Sequence, residues 1–190
     1  MEKGFLNSIL RSDQTVFTFK ELLLVWNTDA GVARRRISYY LKTGNLYAIR
    51  RGFYAKDKNY NRLELAAKIY TPAYISFETV LGSAGITFQY YGQIFVATYQ
   101  SDEIVADEQQ IVFRRLKSTI LHNASGVENK PRYAIASAER AFLDVVYLNR
   151  EYHFDNLSPI NWSTVYEIAP IYESKKVIER INKYYKSTKE

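Results

Sequence analysis

The 190-residue chain carries a net charge of +6, with 47% hydrophobic and 24% charged residues, proportions that allow an ordinary packed core. It has no cysteine, which excludes disulfides, thiolate zinc sites and cysteine nucleophiles. With no apolar run of about 18 residues, and with Met1–Arg11 lacking the build of a secretory signal, a cytoplasmic protein with no membrane partner is expected.

In chain order, Phe5, Leu6, Ile9 and Leu10 predict a short helix over 4–11. Thr18 reads as the N-cap of a helix over Phe19–Trp26, and Asn27-Thr28-Asp29 as a turn and cap. A second helix runs from about Ala30 to Lys42 and stops at Gly44, suited to a left-handed C′ position. Leu46–Arg50, Arg51-Gly52 and Phe53–Ala55 then read as a β-hairpin. The polar stretch Lys56–Asn61 divides the chain into residues 1–60 and 61–190.

Beyond it, helices are expected over Leu63–Tyr70 and from an N-cap at Ser76 to Gly82 or Gly85, with strands over Gln93–Tyr99 and Gln110–Lys117. The acid pairs Asp102-Glu103 and Asp107-Glu108 read as a solvated loop. Ser125-Gly126 and Asn129-Lys130-Pro131 signal loops before a strand at Arg132–Ile135. Ser137 caps a helix reaching Leu148, and a last helix spans roughly Lys175–Tyr185. The fold class is α+β: an N-terminal winged helix-turn-helix followed by a mixed α/β C-terminal domain.

The charge is unevenly divided. Residues 1–60 hold eleven Lys/Arg and five acids, whereas 61–190 hold fifteen of each, so the whole excess sits in the first third. Such asymmetry points to a polyanion-binding module joined to a neutral one. At about 100° per residue, the helix over 30–42 places Ala33, Ile37, Tyr40 and Leu41 on one side and Gly31, Arg35, Ser38, Tyr39 and Lys42 on the other, with Arg34 and Arg36 flanking. A recognition helix needs this two-sidedness, because it enters the major groove while its back packs on its own domain. Arg35 and Ser38 are assigned to base edges. Arg34, Arg36, Lys42, Arg50 and Arg51 are assigned mainly to phosphates, with Tyr39 on the same face.

Leu41–Tyr54 (LKTGNLYAIRRGFY), Tyr74–Gly85 (YISFETVLGSAG) and Ile135–Tyr147 (IASAERAFLDVVY) resemble, in the right order, segments of the AbiE-type abortive-infection antitoxins of bacterial type IV toxin–antitoxin systems. The resemblance implies a winged helix that represses its own operon by binding inverted repeats in double-stranded DNA, as a dimer or cooperatively. It also implies a C-terminal domain that counters a nucleotidyltransferase-like toxin, functionally and not necessarily by contact. On it, Arg34, Arg35, Arg36, Arg50 and Arg51 correspond to the family's basic DNA-contacting region. The last 40 residues carry no such resemblance.

Catalysis is not expected. His122 and His153 lack metal-ligand spacing, and no phosphate loop, dinucleotide fingerprint or nucleophile elbow occurs, so neither cofactor nor metal is assigned. Asp144, on an otherwise apolar helix, is expected to pair with Arg140 one turn back. Two other readings remain at this level. One is a stand-alone regulator whose C-terminal domain senses a ligand or dimerises. The other is a metal-dependent nuclease in which Glu78, Glu139 and Asp144 converge.

Overall fold

The computed structural model of the chain describes residues 2–89 and 92–189. It is a mixed α+β fold with two sheets. The N-terminal part comprises α1 (Glu2–Arg11), β1 (Val16–Thr18), α2 (Phe19–Trp26), α3 (Ala30–Lys42), β2 (Tyr47–Arg50) and β3 (Phe53–Ala55). Thr18 makes the expected cap and completes a capping box: its hydroxyl accepts from Glu21 N at 3.1 Å, and Glu21 Oε2 accepts from Thr18 N at 2.7 Å. Asp29 caps α3 by accepting from Gly31 N and Val32 N, and Gly44 follows it at φ +72°. The strand β1 was not expected. It pairs antiparallel with β3, giving the order β1-β3-β2. Its three residues are too few to show a period of two, and its partner lies 35 or more residues away.

The rest comprises α4 (Arg62–Ile69), β4 (Ala73–Ile75), α5 (Phe77–Ser83), β5 (Ile94–Thr98), β6 (Asp102–Ala106), β7 (Gln109–Arg115), α6 (Ser118–Leu121), β8 (Val127–Asn129), β9 (Ala134–Ala136), α7 (Ala138–Leu148), α8 (Trp162–Ile168), a 3-10 turn (Ala169–Tyr172) and α9 (Lys175–Ser187). The second sheet runs β6-β7-β5-β4-β9-β8, with β5/β7 and β4/β9 parallel and its other neighbours antiparallel. All five residues of β5, Ile-Phe-Val-Ala-Thr, are buried, as an interior strand covered on both faces requires.

Several expectations change. The acidic stretch is not a loop: Asp102–Ala106 is the edge strand β6, and Asp107-Glu108 is its two-residue turn, with φ of 49° and 63°. Positive φ at both central positions is what a tight hairpin asks for, and acids on an edge strand discourage further strand addition. Ser76 stands at the N-cap of α5 but makes no cap bond; its hydroxyl donates to Asp144 Oδ2 at 2.7 Å. Between the two loop signals near 125 and 130 lies the short strand β8, preceded by α6. The strand expected at 132–135 begins two residues later, at Ala134. Neither α8 nor the 3-10 turn was foreseen, because each is under two full turns, too short for a helical period to stand out.

A buried polar hub joins these pieces. Arg140 and Asp144 are both 0% exposed and paired one helical turn apart, Nε to Oδ1 at 3.3 Å. Arg140 also donates to the carbonyls of Ile120 and Ser125, each at 2.7 Å, and to the Tyr74 hydroxyl at 2.9 Å. Asp144 accepts from the hydroxyls of Tyr74, Ser76 and Tyr172. Burial pushes its carboxyl above the usual range, with Arg140 and the three hydroxyls opposing; burial likewise pushes the Tyr74 and Tyr172 hydroxyls well up.

Two apolar clusters fill the molecule. One, with Ile9, Phe17, Leu22, Trp26, Ala33 and Ile37 among its members, belongs to residues 1–60. The larger fills the rest of the chain but also takes in Val16 and Ala55. The two parts are also joined by polar contacts. Buried Glu64 accepts from Thr15 N and Oγ1 at 2.9 and 2.7 Å, and Lys68 pairs with Glu21 at 3.0 Å while donating to Val16 O. Against its partial burial, the Thr18 amide and the paired Lys68 hold the Glu21 carboxyl below the usual range.

Asp144→Ala strands the Arg140 guanidinium without its counter-charge. It is expected to lower stability by about 3–5 kcal/mol, read by urea unfolding; a loss under about 1 kcal/mol would mean the pair carries little.

Candidate nucleic-acid interface

The sequence of α3 alternates small or apolar residues at helical spacing with cations, and packing sorts them. Ala33, Ile37 and Tyr40 are 0%, 4% and 5% exposed, with the Tyr40 ring 6.0 Å from that of Trp26 on α2. Arg34, Arg35, Ser38, Tyr39 and Lys42 are exposed. The helix therefore shows solvent a row of cations and hydroxyls while its back is fixed in the core. At its N-terminus the Asp29 carboxyl is held below the usual range by the Val32 and Gly31 amides and by nearby Arg35.

The expected cations are not equally free. Arg36 is half-buried: its guanidinium lies 3.5 Å from the Phe5 ring centroid on α1, and its Nη1 is buried without a hydrogen bond. Arg34 keeps an exposed position 5.5 Å from the Phe19 ring. In the hairpin, Arg51 is exposed in the turn, beside Gly52 at φ +81°. Arg50 lies 5.7 Å over Phe53 and close enough to Asp102 to help hold that carboxyl below its usual range, after the Tyr70 hydroxyl and the Glu103 amide.

The acids of β6 and its turn are the residues that sequence reasoning missed. Asp107 accepts from the hydroxyls of Tyr47 on β2, at 2.7 Å, and Tyr60, at 2.9 Å, while Arg62 donates to its carbonyl. The Tyr47 bond, with those from Tyr60 and the nearby Arg62 and Lys58 charges, lowers the Asp107 carboxyl against slight burial. An acidic edge strand thus runs alongside the cationic hairpin, with Asp107 near one end of β2 and Asp102 near the other. No local pattern announces this, since the partners are 32 to 60 residues apart.

The acids considered for catalysis stay apart. Glu78 pairs with Arg114 at 3.0 Å, Glu139 accepts from Asn161 N at 3.2 Å, and Asp144 is held in the hub. Among the described residues no group of three His, Asp or Glu side chains is placed to hold a metal ion, and no helix is long and apolar enough to cross a membrane. No family model matches the sequence, and no curated protein matches it.

Loss of the phenol in Tyr47→Phe is expected to raise the Asp107 pKa toward the usual carboxylate value, measurable by NMR titration. Because the folded-state value is depressed, Asp107 contributes stability above the ordinary carboxylate range, and that contribution fades as pH falls through the folded value. An Asp107 titration unchanged in the variant would show that the bond does not form.

Proposed function

We propose that residues 1–60 form a winged helix-turn-helix that binds duplex DNA. In this reading α2 and α3 are the helix-turn-helix, α3 is the recognition helix and the β2–β3 hairpin is the wing. The observation that carries it is the division of α3 into a buried apolar back and an exposed row of Arg34, Arg35, Ser38, Tyr39 and Lys42. A helix so built can lie in a major groove without giving up its packing. Arg35 and Ser38 read base edges, and Arg34, Lys42 and Arg51 hold phosphates. Arg36 serves mainly to seat α1 through Phe5, and Arg50 is shared with Asp102.

The chain as a whole is proposed to be an AbiE-type antitoxin of the bacterial cytoplasm: an autorepressor on inverted repeats in its own promoter that also counters a nucleotidyltransferase-like toxin. This half of the reading is supported by the way two of the family-like segments meet. Tyr74–Gly85 supplies β4 and α5, Ile135–Tyr147 supplies β9 and α7, and Ile75 pairs with Ile135. Tyr74, Ser76, Arg140 and Asp144, all from those segments, build one hub. Residues of the family-like segments are thus spent on a common interior.

Arg35→Ala and Arg51→Ala are each expected to weaken binding to the promoter duplex by roughly five- to a hundred-fold, about 1–3 kcal/mol for a base contact and less for a phosphate. Affinity should also fall steeply with salt as counterions are displaced. Fluorescence anisotropy reads both, and unchanged affinity in both variants removes α3 and the hairpin as the contact face. Co-expression with the adjacent toxin gene tests the second half. Full-length protein should restore growth, and the Arg35→Ala/Arg51→Ala protein should restore growth while losing repression. Failure of the full-length protein to rescue rejects the antitoxin assignment.

A further inference from the structure

The balance of charge over residues 61–190 is a sum that conceals a second segregation. Residues 175–189 hold six cations, Lys175, Lys176, Arg180, Lys183, Lys186 and Lys189, against the single acid Glu179, a net of +5. The helix α9 that carries most of them buries Val177 and Ile181 against the core, and all of its lysines are exposed. At about 1.5 Å and 100° per residue, the cations from Lys175 to Lys186 form a row about 17 Å long on one broad face of the helix.

This line borders a formed cleft of about 480 Å³ between α9 and the loop after α7, lined by Arg150, Glu151, Tyr152, Arg180, Lys183 and Tyr184 among others. Its walls are fixed to each other. Arg180 Nη1 donates to the carbonyls of Val146 and Asn149 at 2.7 and 3.0 Å, where the C-terminal end of the α7 dipole favours a cation. The Tyr184 hydroxyl accepts from Tyr152 N and donates to Tyr152 O. Arg150 and Lys183 are exposed on either wall, and Glu151 is the acid facing them. The cleft therefore presents three cations to one carboxylate, with Arg180 and the two walls held in place before any ligand arrives.

We propose that this cleft and the exposed lysines of α9 bind the phosphodiester backbone of a nucleic acid, at a place separate from α3. A linear array of like charge suits a linear polyanion, in which duplex DNA offers one charge per about 1.7 Å, better than the scattered acids of a folded protein. Preset walls lower the ordering cost of capture. The contacts are to backbone, so binding here is independent of base sequence, and the proposal does not depend on α3 reading DNA.

The test uses the full chain in an Arg35→Ala/Arg51→Ala background, which weakens the α3 face. The probes are a 20-nucleotide single-stranded RNA and a 20-base-pair duplex DNA lacking the inverted repeat, followed by anisotropy against salt. Residual binding to at least one probe is expected. Adding Arg150→Ala, Lys183→Ala and Lys186→Ala, all at exposed positions, should weaken it at least tenfold and lower the salt slope by about two to three, with an unchanged thermal midpoint. Which probe responds identifies RNA or DNA as the source of the phosphates. No residual binding, or residual binding untouched by the triple substitution, overturns the proposal. So does displacement of the bound probe by a polyglutamate peptide that binds equally well to the triple variant.

Discussion

The interior of residues 61–190 is organised around one charged pair that water never reaches. A buried guanidinium is tolerable only if its charge and all its donors find partners, and Arg140 finds them in five places: Asp144, Tyr74 and the carbonyls of Ile120, Asn123 and Ser125. Those partners lie on α7, β4, α6 and the loop before β8, so the requirement to satisfy one side chain fixes where four segments meet. Gly126, at φ +70°, passes so close that a Cβ there would stand 2.8 Å from Arg140 Cβ. Approach of that loop is thus a condition of the pairing.

The N-terminal part is governed by a different constraint, the need for one helix to serve two media. Its apolar side is fixed by Trp26 and the small cluster around it, which leaves the opposite side to charge. The exposed cations repel one another, a cost that a polyanion would relieve. Nearby carboxylates offer partial relief: Asp29 at the start of α3 and Asp102 beside Arg50. The acidic strand β6 therefore does more than blunt a sheet edge. It sets how much of the hairpin's positive field remains available.

Much of this was legible in the sequence. Thr18, Asp29 and Gly44 mark their helix ends through local chemistry, and the 30–42 helix sorts its faces by spacing alone. The pairing of Asp144 with Arg140 follows from one-turn separation on a helix. What escaped lacks a strand signal of its own. The strands β1 and β8 are three residues each, too short to show a period of two, and β6 is acidic; β1 is held by β3, 35 or more residues away, whereas β6 and β8 are held by the strands that follow them. Ser76 looked like a cap because caps are local, but Asp144, 68 residues away, takes its hydroxyl. The candidate site divides in the same way. The cationic face was visible, whereas the diversion of Arg36 onto Phe5 and the grip of Asp107 on Tyr47 and Tyr60 required tertiary structure. The balanced total over residues 61–190 also conceals the basic character of α9.

The contacts of Glu64 and Lys68 bear on how the molecule comes apart. From one turn of α4, these two side chains hold the backbone entering β1, its carbonyl at Val16 and the cap of α2. Val16 and Ala55 lend the first sheet's side chains to the larger core. Melting either part thus strips partners from the other, so the two would denature in concert, and a fragment cut at the polar stretch would inherit a bare apolar flank and be poorly suited to isolation.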